Sequence, residues 1–136
     1  MSPIGRALSP DDIADVAAYY ANVETPFPML AVPDSDLVKK GRELAEAGLG
    51  AKGVPGCSAC HGAGGVGQAP TVPYLAGQYA QYTALQLKMW QQGFHRNSPE
   101  AMALFARKLD DQEIAALAAY FQQARSSASP GTPGKQ

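Results

Sequence analysis

The 136-residue chain has few metal-binding side chains, no surplus of basic residues and no long apolar run. It contains only two cysteines and two histidines, so a zinc site made of four Cys and His ligands would need all of them. The formal net charge of −1 excludes a strongly basic surface of the kind that binds nucleic acid. No stretch of about 18 apolar residues is present, so no transmembrane helix is predicted.

The two cysteines lie in the segment Cys57-Ser-Ala-Cys60-His61, which has the spacing of a covalent haem-attachment motif. The two thiols can add to the vinyl groups of a haem, and His61 can then bind the iron. A disulfide would leave His61 unexplained, and His61 next to Cys60 is an awkward ligand for a zinc ion. A thioredoxin-like pair needs a strand and a helix, whereas Gly and Pro surround this motif. The motif predicts one covalent haem c, with redox and metal alternatives left open.

Apolar periodicity and capping residues predict an all-α protein without a convincing strand. The predicted helices run from Pro10 to about Val23, from about Asp36 to Ala47, from about Tyr79 to Gln92, over a short stretch after Ser98 that carries Met102, and from about Asp111 to Ala124. The Gly/Pro-rich stretch 48–77 contains the motif, and a haem would supply its core. Gly41 lowers helix stability, which indicates that another backbone crosses closely there.

The first twenty residues resemble residues 102–121 at a constant offset of 101 without a gap. Two amphipathic, alanine-rich helices would share an apolar stripe, but not the matching Met, Arg and Leu upstream of it. We therefore favour an internal duplication. It predicts that residues 1–23 end a preceding haem domain, that 24–33 are a linker, that 34–124 form a complete haem domain and that 125–136 are a disordered tail. The identical pairs are Met1/Met102, Arg6/Arg107, Leu8/Leu109, Ile13/Ile114, Ala14/Ala115, Ala17/Ala118, Ala18/Ala119 and Tyr19/Tyr120.

The order of motifs along residues 37–124 resembles the class I cytochromes c, most closely the two-haem periplasmic type called c-four. The matching features are Cys57-Ser-Ala-Cys-His61-Gly62, Pro73-Tyr-Leu-Ala-Gly-Gln78, Tyr82, Leu85-Gln86-Leu87, Gly93, Met102, and Leu109 followed by Ile114-Ala-Ala-Leu-Ala-Ala-Tyr120-Phe121. The resemblance implies the class I cytochrome c fold, with several helices around one haem, and a tandem haem domain upstream.

The resemblance also implies roles for single residues. Cys57 and Cys60 correspond to the haem attachment points, and His61 and Met102 to the two axial iron ligands. Pro73 corresponds to the residue whose carbonyl accepts a hydrogen bond from Nδ1 of the histidine ligand and so orients its ring. The other implied cofactor-binding residues are Gln78, Tyr82 and Arg96, as polar contacts around the haem edge and propionates, and Trp90, as a packing residue for which a plain core role is equally open.

Other side chains compete with Met102 for the second axial position. Met1 and Met29 precede the haem domain, and Met89 lies on a helix with an apolar stripe, where core packing is the default. His95 lies in a polar segment and is interpreted as a surface histidine. If His95 did bind iron, the two-histidine ligation would lower the reduction potential, because methionine ligation raises it.

An iron with both axial positions filled changes oxidation state only by outer-sphere electron transfer. The sequence therefore predicts a periplasmic one-electron carrier, not an enzyme, whose partners are redox proteins such as a terminal oxidase, reductase or dehydrogenase. Two alternatives stay open: an electron-transfer domain of a larger oxidase, reductase or dehydrogenase, and a catalytic or gas-binding haem with an open iron. The first residues lack the apolar core of an export signal. We therefore expect a cleaved signal or a longer precursor, with membrane attachment through a missing part or partner left open.

Overall fold

The computed structural model describes residues 2–22, 34–95 and 100–124. The predicted linker 24–33 and tail 125–136 lie outside these residues. The chain divides into two compact units, Met1–Ala31 and Val32–Gln136. The described parts of both are helical, and their only β-pairings are two isolated bridges. The all-α prediction is therefore confirmed, and none of the described helices is long and apolar enough to cross a membrane.

The first unit consists of helices α1 (Ser2–Ala7) and α2 (Pro10–Asn22). The sequence did not predict α1, which contains both Pro3 and Gly5. The N-terminus of α2 is closed by a reciprocal capping box. The backbone N–H of Ser9 donates to Oδ2 of Asp12 at 2.9 Å, and the N–H of Asp12 donates to Oγ of Ser9 at 3.1 Å. The Ser9 hydroxyl also donates to Asp12, which lowers the pKa of that carboxyl.

The second unit contains five α-helices in its described residues. They are α3 (Ser35–Ala47), α4 (Ser58–His61), α5 (Ala80–Gln91), α6 (Glu100–Ala106) and α7 (Asp111–Gln123). Helices α3, α5 and α7 match predicted helices within about two residues at each end, and α6 matches the short helix predicted after Ser98 to carry Met102. The fifth, α4, is a single turn that lies inside the stretch expected to be a loop.

Helices α3 and α7 cross closely and form the centre of the core. Ala45 of α3 packs with Leu117, Tyr120 and Phe121 of α7. A Cβ atom added at Gly41 would lie 2.6 Å from the carbonyl carbon of Ala116 and 2.8 Å from Cβ of Tyr120. Only a glycine fits this crossing, so the predicted close approach of a second backbone at Gly41 is confirmed.

Backbone hydrogen bonds fold the glycine-rich stretch between α3 and α5 onto itself and connect it to α7. The carbonyl of Gly65 accepts from the N–H groups of Leu75 at 2.7 Å and Ala76 at 3.0 Å. The N–H of Gly77 donates to the carbonyl of Phe121 at 2.6 Å. These bonds fix a segment that has little regular secondary structure of its own.

A second capping box closes the N-terminus of α7. The N–H of Glu113 donates to Oδ1 of Asp110 at 2.9 Å, and the N–H of Asp110 donates to Oε2 of Glu113 at 2.8 Å. The hydrogen bond from the Glu113 N–H lowers the pKa of the Asp110 carboxyl.

Lys52 Nζ reaches both carboxylate oxygens of the buried Glu113, at 2.7 and 2.8 Å. One carboxylate thus joins the loop after α3 to the start of α7.

We expect Glu113→Gln to destabilise the second unit. The free energy of unfolding should fall by about 1–2 kcal/mol, because hydrogen bonds to a buried carboxylate are lost or weakened. Guanidinium unfolding of the haem-loaded protein measures the change, with the exposed α3 residue Glu46→Gln as the matched control. Equal stability losses in the two variants would contradict a structural role for the buried carboxylate.

The two capping boxes support the sequence repeat. Helix α2 begins at Pro10 and ends at Asn22, whereas α7 begins at Asp111 and ends at Gln123, so both ends differ by 101 residues. The two helices differ, however, in how far their apolar residues are exposed. Ile13 is 51 % exposed and Tyr20 is 71 % exposed, while their α7 counterparts Ile114 and Phe121 are 1 % and 2 % exposed. The same apolar stripe is covered in α7 and uncovered in α2.

Candidate haem site

A cavity of about 730 Å³ lies within the second unit. Its described walls are mostly aliphatic and aromatic, and no Lys, Arg, Asp or Glu is among them. Every predicted site residue that the structure describes lines this one cavity. These residues are Cys57, Cys60, His61, Pro73, Gln78, Tyr82, Trp90 and Met102. Arg96, the remaining predicted residue, lies outside the described residues.

The attachment motif forms the single turn α4 and the residue before it. The N–H of His61 donates to the carbonyl of Cys57 at 2.9 Å, and the N–H of Cys60 donates to the same carbonyl at 3.2 Å. Cys57 is half-buried and Cys60 is exposed. Burial raises the pKa of the Cys57 thiol. Reactive redox cysteines have a lowered thiol pKa, so this environment does not favour a thioredoxin-like pair.

His61 is buried and its ring is fixed by one hydrogen bond. Nδ1 lies 2.9 Å from the carbonyl oxygen of Pro73. A carbonyl can only accept, so Nδ1 carries the proton and Nε2 retains its lone pair for a metal. This contact is the one expected to orient the histidine ligand and increase its basicity.

Met102 lies on α6, whose first residue follows the undescribed stretch 96–99. Its half-buried side chain lines the cavity, whereas Met89 on α5 is not among the lining residues. The two other methionines, Met1 and Met29, lie outside the described residues. Among the described methionines, Met102 alone lines the cavity.

The interpretation of His95 as a surface histidine is wrong. The residue lines the cavity, and its Nε2 atom is buried without a hydrogen-bond partner in the described structure. Its ring packs against Trp90, with centroids 4.4 Å apart and planes tilted by 40°. The polar segment around His95 suggested exposure, but the turn at Gly93 directs this imidazole inward.

Three polar atoms on the cavity wall lack partners in the described structure: Nε1 of Trp90, Nε2 of His95 and Oγ1 of Thr83. The sequence analysis missed Thr83 as a site residue. Its spacing was a usable signal, because Thr83, Leu87 and Trp90 recur on one helical face. Buried polar groups are normally paired, so these atoms indicate a guest that brings its own polar groups.

Gln78 and Tyr82 lie at less enclosed parts of the wall. Oε1 of Gln78 accepts from the N–H of Tyr79 at 2.9 Å, at the start of α5. Tyr82 is exposed and stands on the first turn of that helix. Both are therefore placed to contact the outer edge of a bound group.

These residues fit haem c. The mostly apolar walls suit a porphyrin, the paired thiols suit its vinyl groups, and the unpartnered polar atoms suit its carboxylates. An imidazole and a thioether are the protein ligands that cytochromes use for iron. The fold and the site together define the class of helical proteins that bind haem covalently.

Comparison with known proteins gives the family. A model of the family "Cytochrome c" matches residues 38–125. The thiosulfate dehydrogenase electron acceptor of Stutzerimonas stutzeri strain A1501 is 38% identical over 131 residues, which cover 89% of this chain and 56% of that protein. Cytochrome c4 of Thiocapsa roseopersicina is 40% identical over 126 residues, covering 90% and 64%.

A solved structure of thiosulfate dehydrogenase (TsdBA) from Marichromatium purpuratum agrees in fold. The TM-score is 0.73 at 43% sequence identity, over 90% of this chain and 26% of that one. The chain spans 56% of the length of the Stutzerimonas relative and 64% of the length of the Thiocapsa relative. The chain belongs to the cytochrome c family, and covalent haem c is its cofactor.

Proposed function

We propose that this chain is a one-electron carrier whose haem is attached through Cys57 and Cys60 and ligated by His61 and Met102. The observation that carries the proposal is that all four side chains line one cavity. The hydrogen bond between His61 and the Pro73 carbonyl supports it, because it leaves Nε2 as the free ring nitrogen.

The bound haem supplies the one-electron couple, and the chain controls its surroundings. His61 and Met102 would both hold the iron, which would leave no ligand position open to a substrate. The aliphatic and aromatic walls exclude water and resist a change of charge at the iron. The chain would then exchange single electrons with a transient partner.

The remaining predicted cofactor contacts keep their proposed roles. Gln78, Tyr82 and Arg96 contact the haem edge and propionates, and Trp90 packs beside the haem. Positions on the cavity wall support the assignment for Gln78, Tyr82 and Trp90. The assignment of Arg96 rests on the family resemblance.

The proposed setting is the bacterial periplasm, with a dehydrogenase as the electron donor. The name of the Stutzerimonas relative, an electron acceptor of thiosulfate dehydrogenase, supports a partner of this class. A terminal oxidase or reductase would take the electrons onward. The alternative of a domain within a larger redox enzyme is supported by the TsdBA structure, of which this chain matches 26%.

We also propose that residues 1–23 form the last helical segment of another copy of the same fold, joined through the linker 24–33 to the haem domain 34–124. Two observations support this division. The capping boxes of α2 and α7 stand at the same offset, and the apolar stripe of α2 is exposed where that of α7 is covered. The uncovered stripe would then pack on the first helix of that other copy, as α7 packs on α3.

Absorption spectroscopy with carbon monoxide tests the closed iron site. We expect the ferrous protein to keep its spectrum when carbon monoxide is added, because both axial positions are filled by the chain. Intact mass should show one haem per chain that survives denaturation. Rapid carbon monoxide binding by the native protein would contradict the carrier and favour a gas-binding or catalytic haem.

A further inference from the structure

The helix that carries Met102 contributes one continuous segment of the cavity wall. Met102, Phe105, Ala106 and Leu109 all line the cavity, and their spacing of three and four residues places them on one side of α6 and of the turn that follows it. Helix α6 ends at Ala106. In the turn, the N–H of Leu109 donates to the carbonyl of Ala106 at 3.1 Å. A group that fixes this turn therefore fixes the wall segment on which Met102 stands.

Gln91, the last residue of α5, binds both ends of that turn. Its Nε2 atom lies 3.0 Å from the carbonyl oxygen of Ala106 and 2.8 Å from the carbonyl oxygen of Leu109. Carbonyls can only accept, so the group between them is the NH2 of the side-chain amide. The NH2 has two hydrogens, one for each carbonyl. The whole donor capacity of Gln91 is thus directed at the end of α6 and the turn after it.

These two hydrogen bonds join different helices. Carbonyls at the C-terminus of a helix lack partners within the helix, so a side-chain donor stabilises them. Here the donor comes from α5, and the bonds exist only while α6 lies against α5. Gln91 is half-buried and is not among the cavity-lining residues. Any effect of Gln91 on the site is therefore transmitted through α6.

We propose that Gln91 is a positioning residue for the methionine ligand, whose two hydrogen bonds hold α6 against α5 and keep Met102 in place to bind the iron. This inference rests on the proposed function, because it requires Met102 to be an iron ligand. The docked arrangement of α6 contains both bonds, and an arrangement with α6 moved away contains neither. Two neutral hydrogen bonds change such an equilibrium by about 5- to 150-fold.

The experiment measures imidazole binding to the ferric, haem-loaded protein. Imidazole can take the sixth ligand position only after Met102 has left it, so the apparent affinity is proportional to the fraction of protein with α6 moved away. Gln91→Leu keeps a good helix former of similar volume but has no N–H donor. We expect this variant to bind imidazole about 5- to 150-fold more tightly than the native protein. Loss of the sulfur-to-iron charge-transfer band reports the binding.

Gln92→Leu is the matched control, because it makes the same change at an exposed neighbouring position. Its imidazole affinity should equal that of the native protein. Gln91→Lys keeps N–H donors on a longer side chain and should bind imidazole less tightly than Gln91→Leu. A purely structural Gln91 would lower the free energy of unfolding without changing the imidazole affinity.

A second measurement uses the native protein alone. Both side-chain amide hydrogens of Gln91 should exchange slowly with solvent in the ferrous protein, because each is held by a carbonyl. Proton NMR measures this exchange. The result decides the inference even if Gln91→Leu does not fold.

Three results would overturn the inference while leaving the carrier function intact. They are an imidazole affinity of Gln91→Leu within about twofold of the native value, an equal rise in Gln91→Leu and Gln91→Lys, and rapid exchange of both Gln91 amide hydrogens. A native protein without covalent haem, or one whose ferrous form binds carbon monoxide, would instead contradict the proposed function. The two failures are thus distinguishable.

Discussion

Replacing Met102 by Leu should abolish the sulfur-to-iron charge-transfer band of the ferric protein and let the ferrous protein bind carbon monoxide. Leucine fills nearly the same volume, so the wall stays packed while the thioether sulfur is lost. The reduction potential should fall by about 0.1–0.3 V, within the range of about 0.8 V that axial ligands span. Absorption spectra and a redox titration measure all three changes.

Met89→Leu is the matched control for this substitution. Met89 is half-buried on α5, and its sulfur lies 3.9 Å from Nε2 of Gln86. Because it is not among the cavity-lining residues, its replacement should leave the band, the potential and the carbon monoxide response unchanged. A Met102→Leu protein that keeps its charge-transfer band would refute the ligand assignment.

Gly41→Ala should destabilise the haem domain strongly. The added methyl group would overlap the backbone of Ala116 and Cβ of Tyr120, neither of which can rotate away. We expect a loss of about 3 kcal/mol or more in the free energy of unfolding, the upper end of the usual penalty for overpacking. Guanidinium unfolding of the haem-loaded protein, followed by circular dichroism, gives the value.

Gly50→Ala provides the control for the glycine substitution. A Cβ atom at Gly50 meets nothing within 4 Å, and its backbone is outside the left-handed region. Its free energy of unfolding should change by less than about 1 kcal/mol. A change of less than about 1 kcal/mol in Gly41→Ala as well would contradict the prediction. It would mean that α3 and α7 can move apart without lowering the free energy of unfolding.

The sequence predicted most of the helices because their ends carry strong local signals. The pair Asp110 and Glu113 defines the start of α7, and Gly48 follows the last residue of α3. The crossing at Gly41 was predictable because a glycine inside a helix is unfavourable without a packing reason. The single turn α4 was not predicted, since four residues carry too little periodicity to be recognised.

The site was predicted where a motif fixes spacing and was missed where only folding brings residues together. Cys57, Cys60 and His61 are adjacent in sequence, so their chemistry could be read directly. The position of His95 depends on how the chain turns after Gly93 and packs on Trp90, which no local pattern encodes. Thr83 was missed because one hydroxyl among apolar neighbours is a weak signal.

The walls of the cavity have a consequence for the speed of electron transfer. The described lining holds no aspartate, glutamate, lysine or arginine. The glycine-rich stretch that supplies part of this lining is hydrogen-bonded to α7 through the N–H of Gly77. Few dipoles are therefore free to reorient when the charge at the centre changes. A preorganised environment of this kind requires little rearrangement at the moment of charge transfer. The reorganisation energy should be small, so that a modest driving force and a brief encounter with a partner suffice for fast exchange.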